Sequence, residues 1–154
     1  MMRLAKKSDI DDLHRLLADM NAIHAELRPD IFKIGGIKYT KEEIGKKIAE
    51  CTEPIFVYEE EGAVLGYAFC MIQEVKETNL LLAQKYVYID DLCVDGRFRS
   101  KSIGSRLYEY VREYAKSIGA NRVRLIVWEG NDKAVRFYLR QGMKPLITVM
   151  DEAL

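Results

Sequence analysis

The sequence predicts a single mixed α/β domain spanning residues 1–154, with antiparallel strands first and a βαβ crossover after them. Three observations carry this expectation. Apolar residues recur at helical spacing near the start of the chain. Two β-rich runs flank the turn signal Glu60-Glu61-Gly62. A third β-rich run then leads through a basic loop into an amphipathic helix and a further apolar run. The predicted order is β-α-α-β-β-β-α-β-α-β, a mixed and mostly antiparallel central sheet flanked by helices.

The short apolar start ending near Leu4 reads as a strand. Ser8 with Asp11 three residues on forms an N-cap arrangement. Ile10, Leu13, Leu17, Met20 and Leu27 follow at helical spacing, so Asp9–Glu26 is an amphipathic helix. Arg28-Pro29-Asp30 interrupts it, and Ile31–Tyr39, with Gly35-Gly36, reads as a loop or broken helix. Thr40 and Glu43 make a capping box for a second helix to about Cys51, which Pro54 ends. Ile55–Glu59 and Val64–Ile72 form a hairpin, and Tyr86–Val94 is the next strand. Ser102–Ile118 is helical, with Ile103, Leu107, Val111, Tyr114 and Ile118 along one face and Gly119 at the C-cap. Val123–Trp128, apolar apart from Arg124, reads as a central strand. Asn131 N-caps a short helix over Asp132–Gln141 that Gly142 closes, and Leu146–Met150 is a last short strand.

Composition excludes several function classes. Lys plus Arg equals Asp plus Glu at 24 each, so the large basic excess of a dedicated nucleic-acid binder is missing. Cys51, Cys70 and Cys93 show no CxxC spacing and read as small hydrophobes in a reducing compartment, with neither a disulfide nor a metal site. The longest nearly uncharged stretch, Ala63–Gln73, is too short to span a bilayer, and the first residues lack the apolar stretch of a signal peptide. The expected location is the cytoplasm, with no membrane or nucleic-acid partner.

The strongest chemical signal is Val94-Asp95-Gly96-Arg97-Phe98-Arg99-Ser100-Lys101-Ser102-Ile103-Gly104-Ser105. It joins a strand to a helix, where backbone N–H groups converge and the helix dipole adds positive potential. Arg97, Arg99 and Lys101 add cations, while Ser100, Ser102, Gly104 and Ser105 are small enough for close backbone approach to an anion. A solvated basic loop is the plain alternative. The physics points to a pyrophosphate site.

Arg99-x-x-Ser102-x-Gly104 resembles the cofactor loop of the GNAT family of N-acetyltransferases, Gln/Arg-x-x-Gly-x-Gly/Ala, with Ser102 in place of the first glycine. Ser102 is expected in an ordinary backbone conformation there, where it can offer its N–H and cap the helix. Asn131-x-x-Ala134-x-x-Phe137-Tyr138-x-x-x-Gly142-Met143 resembles the family's second signature, and the predicted element order resembles its fold along nearly the whole chain. The resemblance implies acetyl-CoA as co-substrate, no metal, and direct transfer in a ternary complex. It places the cofactor on the loop residues Arg97–Ser105, with Asn131 on the pantetheine arm. Leu92, Cys93 and Val94 would supply backbone N–H groups that bind that arm and polarise the acetyl carbonyl. It also implies that Tyr138 protonates the departing thiolate, that Cys93 need not be a nucleophile, and that the chain forms a homodimer.

An alkylammonium is almost fully protonated at neutral pH, so acetylating an amine requires a base. Asp90 and Asp91 are the candidates. Neighbours on a regular strand face opposite sides, so only one of the pair can enter a given cleft unless a bulge intervenes. An edge strand or a structural ion pair is the alternative. Tyr88-Ile89-Asp90-Asp91-Leu92-Cys93-Val94 is similar to a segment of the spermidine/spermine (diamine) acetyltransferase branch. Carried across, that similarity makes Asp90 the base, through a bridging water, and Asp91 an anion of the acceptor site. Glu129 is an alternative base or acceptor contact, and His24 can face the acceptor pocket. The expected acceptor is a small-molecule primary amine, polyamine-like or a diamine. A peptide or protein acceptor and a non-catalytic CoA-binding sensor remain the alternatives.

Overall fold

The computed structural model describes residues 1–154, the side chain of Ser100 excepted. Strand β1 (Met2–Leu4) leads through a 3-10 turn (Lys7–Asp9) into helix α1 (Ile10–Leu27) and then α2 (Lys41–Glu50). Strands β2 (Ile55–Glu60), β3 (Ala63–Val75) and β4 (Gln84–Val94) follow. A 3-10 turn over Gly96–Lys101 enters α3 (Ile103–Ser117), and β5 (Arg122–Arg124) and α4 (Asp132–Arg140) complete the regular structure. The sheet is mixed, in the order β1-β2-β3-β4-β5; only the β4–β5 pair is parallel.

Two apolar clusters sandwich the sheet, and the alternation of β3, offset once by the bulge opposite Tyr58 and Glu59, divides its side chains between them. Leu65, Ala68 and Cys70 face α3, through Ile103, Leu107 and Val111. Val64, Tyr67 and Phe69 face α1 and α2, through Leu13, Leu16, Leu17 and Ile44. Gly66 sits where β3 meets α3: an added Cβ would lie 3.0 Å from the Cys93 carbonyl oxygen and 3.0 Å from Leu107 Cδ1. Helix and sheet are therefore as close as a side chain-free position permits.

Local signals behaved as their chemistry dictates. Thr40 and Glu43 form the reciprocal capping box of α2. Glu61 and Gly62 take φ of 53° and 82°, the paired left-handed values of a tight hairpin turn. Asn131 accepts from the Ala134 N–H at 3.3 Å, and Gly142 follows α4 at φ 92°.

Four expectations are corrected. The 3-10 turn that leads into α1 is held by Asp9, and no side-chain capping hydrogen bond from Ser8 or Asp11 starts the helix among the described residues. The Asp9 carboxylate accepts from the Lys6 N–H at 2.7 Å and pairs with Arg3. Val123–Trp128 is neither a full strand nor central: pairing spans only Arg122–Arg124, at the sheet edge. Leu146–Met150 is not in a strand, and Ile147, Val149 and Met150 are exposed. The last two corrections share one cause, because the edge beyond β5 has no neighbour among the described residues and β-propensity alone does not form a strand. Finally, Ser102 is left-handed, at φ 57°, rather than in an ordinary conformation.

Candidate active site

The site is built where β4 and the chain after β5 part company. Their parallel pairing stops at Tyr88 opposite Arg124, yet β4 continues to Val94. The outer edge of Leu92, Cys93 and Val94 therefore looks across a gap to Leu125–Trp128. A cleft of ≈ 450 Å³, open to solvent, occupies that gap; Asp90, Asp91, Asn131, Tyr138 and His24 line it.

A β-bulge decides which side chains enter the cleft. Ile89 pairs with Cys70 and Asp91 with Phe69, so Asp90 is an extra residue with no partner of its own on β3. The alternation restarts after it, and Asp90 and Asp91 both turn toward the α1–α2 face. Lys38 shows the consequence: its Nζ lies 3.2 Å from Asp90 Oδ1 and 3.7 Å from Asp91 Oδ2. The one-carboxylate limit of a regular strand does not hold here.

The two acids differ in environment. Asp90 Oδ2 accepts a 2.6 Å hydrogen bond from the Tyr39 hydroxyl. Asp91 is buried, and burial pushes its carboxyl up to about 6, with the Asp90 charge acting in the same direction and Lys38 against it. Beside it lies the Tyr67 hydroxyl, buried and without a hydrogen-bond partner among the described residues; burial raises its ionisation well above the ordinary phenol value. Tyr138, packed edge-on against Phe137 and Tyr108, is likewise raised by burial and then by the nearby Asp91. Its proton therefore stays on at neutral pH.

The loop is folded by Asp95, which is 3% exposed. Its carboxylate accepts from the Arg97 N–H and guanidinium and from Arg15 of α1, and these hydrogen bonds hold it well below the usual carboxylate range. The Arg97 guanidinium is thus paired with Asp95. Lys101 leans on Glu60 at 3.7 Å and on the Phe98 ring. Among the described residues Arg99 has no ion-pair partner, and its charge reaches the Cys93 thiol. The first-turn N–H groups of α3 lack intrahelical acceptors by geometry. The Cβ that Gly104 lacks would stand 3.3 Å from the Phe137 ring, so α4 packs directly on the start of α3. Gln141 Nε2 donates to Ser105 Oγ at 2.9 Å across the same junction. These features fit a coenzyme whose phosphates lie at the start of α3 and whose arm follows β4. The expectation for the Ser100 side chain falls outside the described residues.

The remaining sequence candidates divide. His24 reaches the cleft, stacked on Phe32 at 5.0 Å, and burial and Lys38 lower its pKa. Glu129 is exposed and outside the cleft lining. The Cys93 thiol faces the α1–α2 core and is pushed up to about 12 by burial, which leaves it unreactive as a nucleophile. Lys38, Tyr39 and Tyr67 were absent from the sequence-based set. Lys38 and Tyr39 lie in a loop without a motif, and Tyr67 reads as one more apolar residue of β3.

Phosphate at a helix start, with a thioester arm in a gap between strands, is how an acyltransferase holds its donor. The chain belongs to the Acetyltransferase (GNAT) family, whose model matches residues 18–143. Members use acetyl-CoA as co-substrate. The chain is similar to the thialysine N-epsilon-acetyltransferase of Sus scrofa, at 35% identity over 60 residues. That match covers 39% of this chain and only 35% of the relative. A mutant protein from Bacillus halodurans superimposes with a TM-score of 0.95 at 25% identity, over 100% of this chain and 99% of that one. The glucosamine-6-phosphate N-acetyltransferase of Arabidopsis thaliana superimposes with a TM-score of 0.64 at 26% identity, over 99% and 97%. Among the described residues no helix is long and apolar enough to cross a membrane. Among the described residues no group of His, Cys, Asp and Glu could hold a metal ion.

Proposed function

We propose that the chain transfers the acetyl group of acetyl-CoA to a primary amine of a small polyamine-like or diamine acceptor, by direct transfer in a ternary complex. One observation carries the acceptor class: two neighbouring carboxylates, brought to one face by the bulge, converge on an alkylammonium, that of Lys38. A site that holds one such cation has the charge and spacing to hold another. Asp91 takes the proton of the acceptor, since its pKa near 6 leaves it ionised yet basic at neutral pH, and Asp90 anchors the ammonium. This differs from the roles implied by resemblance alone, because Asp91 is the buried member of the pair. Tyr138 returns a proton to the thiolate. Leu92, Cys93 and Val94 offer backbone N–H groups, Asn131 contacts the arm, and Arg99 with the first turn of α3 holds phosphate.

The 154 residues work as one catalytic domain in the cytoplasm, without nucleic acid or membrane, and as a homodimer. The exposed apolar segment Leu146–Met150 supports the dimer, since a second copy would cover it.

A thiol-release assay with acetyl-CoA and a panel of diamines, thialysine, aminoglycosides and short peptides tests this reading. Turnover of diamines, abolished by Tyr138→Phe, is the expected result. Turnover of peptides alone would move the acceptor to proteins, and acetyl-CoA binding without any turnover would favour a sensor.

A further inference from the structure

The loop between α1 and α2 brings a primary amine of the chain itself against both carboxylates that line the cleft. Lys38 Nζ donates to the Asp90 carbonyl oxygen at 2.8 Å and lies against both carboxylates. The Asp90 and Asp91 side chains are 15% and 8% exposed and line the cleft that also holds Tyr138. The charged and titratable groups facing this ammonium are the two aspartates and, within reach of its charge, His24. Lys38 is delivered by a segment without regular structure, so its side chain is held by these contacts rather than by a helix or strand. Chemically it is what the acceptor is: an alkylammonium beside a base.

Resting on the reading of this site as an amine acetyltransferase, we propose that Lys38 is a self-acetylation site, modified in cis with acetyl-CoA as donor. The ammonium gives one proton to Asp91. The freed lone pair forms the C–N bond to the acetyl carbon, and the C–S bond breaks. The departing thiolate is protonated by Tyr138, and the second proton lost by the nitrogen as the amide forms restores the Tyr138 phenol, while the proton on Asp91 passes to solvent. The net products are the acetylated lysine, the free thiol of the coenzyme and one proton released to solvent.

The modification also changes the site. An amide carries no charge, so acetylated Lys38 loses its attraction for Asp90 and Asp91 and exposes both carboxylates to an incoming amine. Before modification, an added acceptor competes with the chain's own ammonium; afterwards it does not.

The test is to incubate the purified full chain with acetyl-CoA and no acceptor, reading intact mass and mapping the modified peptide. One acetyl group on Lys38 is expected, at a rate independent of protein concentration and far above that of the exposed Lys46. Lys38→Arg should abolish it, and Tyr138→Phe should slow it by about 100-fold or more. Pre-acetylated protein, and Lys38→Ala, should show a several-fold lower KM for a small diamine. Acetylation of Lys38 no faster than that of Lys46, or unchanged in Tyr138→Phe, would be solution chemistry and would overturn the proposal. If added amines are turned over while Lys38 stays unmodified, the proposal fails and the acetyltransferase reading stands. If folded protein binds acetyl-CoA yet neither turns over amines nor modifies itself, both fail.

Discussion

Replacing Asp91 by Asn should weaken catalysis and strengthen the fold, and the second effect should depend on pH in a calculable way. Burial lifts the Asp91 carboxyl from an ordinary 3.8 to about 6. A group raised on folding contributes its stability in full below its unfolded pKa, where both states are protonated, and loses it as the pH climbs through the folded value. Each tenfold change in ionisation constant is worth about 1.4 kcal/mol, so above about pH 6 the wild type forfeits about 3 kcal/mol. Asn cannot ionise and avoids that loss. Its weaker contact with Lys38 carries a cost that does not titrate here, so it cancels when two pH values are compared. Urea unfolding of both proteins should therefore show the stability difference moving in favour of Asp91→Asn by about 2 kcal/mol between about pH 4.5 and about pH 8. Acetyl transfer by the variant should fall by about 100-fold or more, and in the wild type it should decline below about pH 6 as the base is protonated. A stability difference that stays constant across this range would refute the burial argument, since the carboxyl would then titrate as it does in the unfolded chain.

Tyr138→Phe should lower kcat by about 100-fold or more while leaving acetyl-CoA affinity by calorimetry nearly unchanged, because only the phenolic proton is removed. Ser102→Gly should raise the thermal midpoint, since it relieves a left-handed conformation that costs a non-glycine residue about 1 kcal/mol; a lower midpoint would mean the serine side chain supports the turn. Gly104→Val should weaken acetyl-CoA binding in calorimetry, as its side chain must displace the Phe137 ring and with it the neighbouring Tyr138. Gly66→Ala should destabilise the fold by about 1–3 kcal/mol in urea, because two neighbours already stand at contact distance from the added methyl group.

What the sequence made legible was what neighbouring residues decide among themselves. Thr40 with Glu43, Asn131 with Ala134, and Glu61-Gly62 are contacts within a few residues, and each formed as its chemistry requires. The turn leading into α3 and the start of α4 were legible for the same reason. The Lys38–Asp90 contact spans 52 residues of sequence, and no periodicity announces it. Leu146–Met150 has the composition of a strand, but a strand also needs an edge to join. That Asp95 stands beside Arg97 at 2.7 Å is likewise a feature no periodicity announces.

The single extra residue at Asp90 has a further consequence for how such a site can arise or be lost. Pairing on either side of it is regular but offset by one position: Ile89 answers Cys70, and Asp91 answers Phe69. Deleting one residue there would not merely shorten the strand. If the remaining pairs to β3 held their places, one acid would be gone and the other would stand alone on its face. If they slid instead, Leu92, Cys93 and Val94 would each turn to the opposite face of the sheet, Cys93 toward α3 and its two neighbours toward α1 and α2. The reading frame of β4 is thus set by one inserted amino acid, and a one-codon change in gene length at this point would convert a two-acid pocket into an ordinary strand.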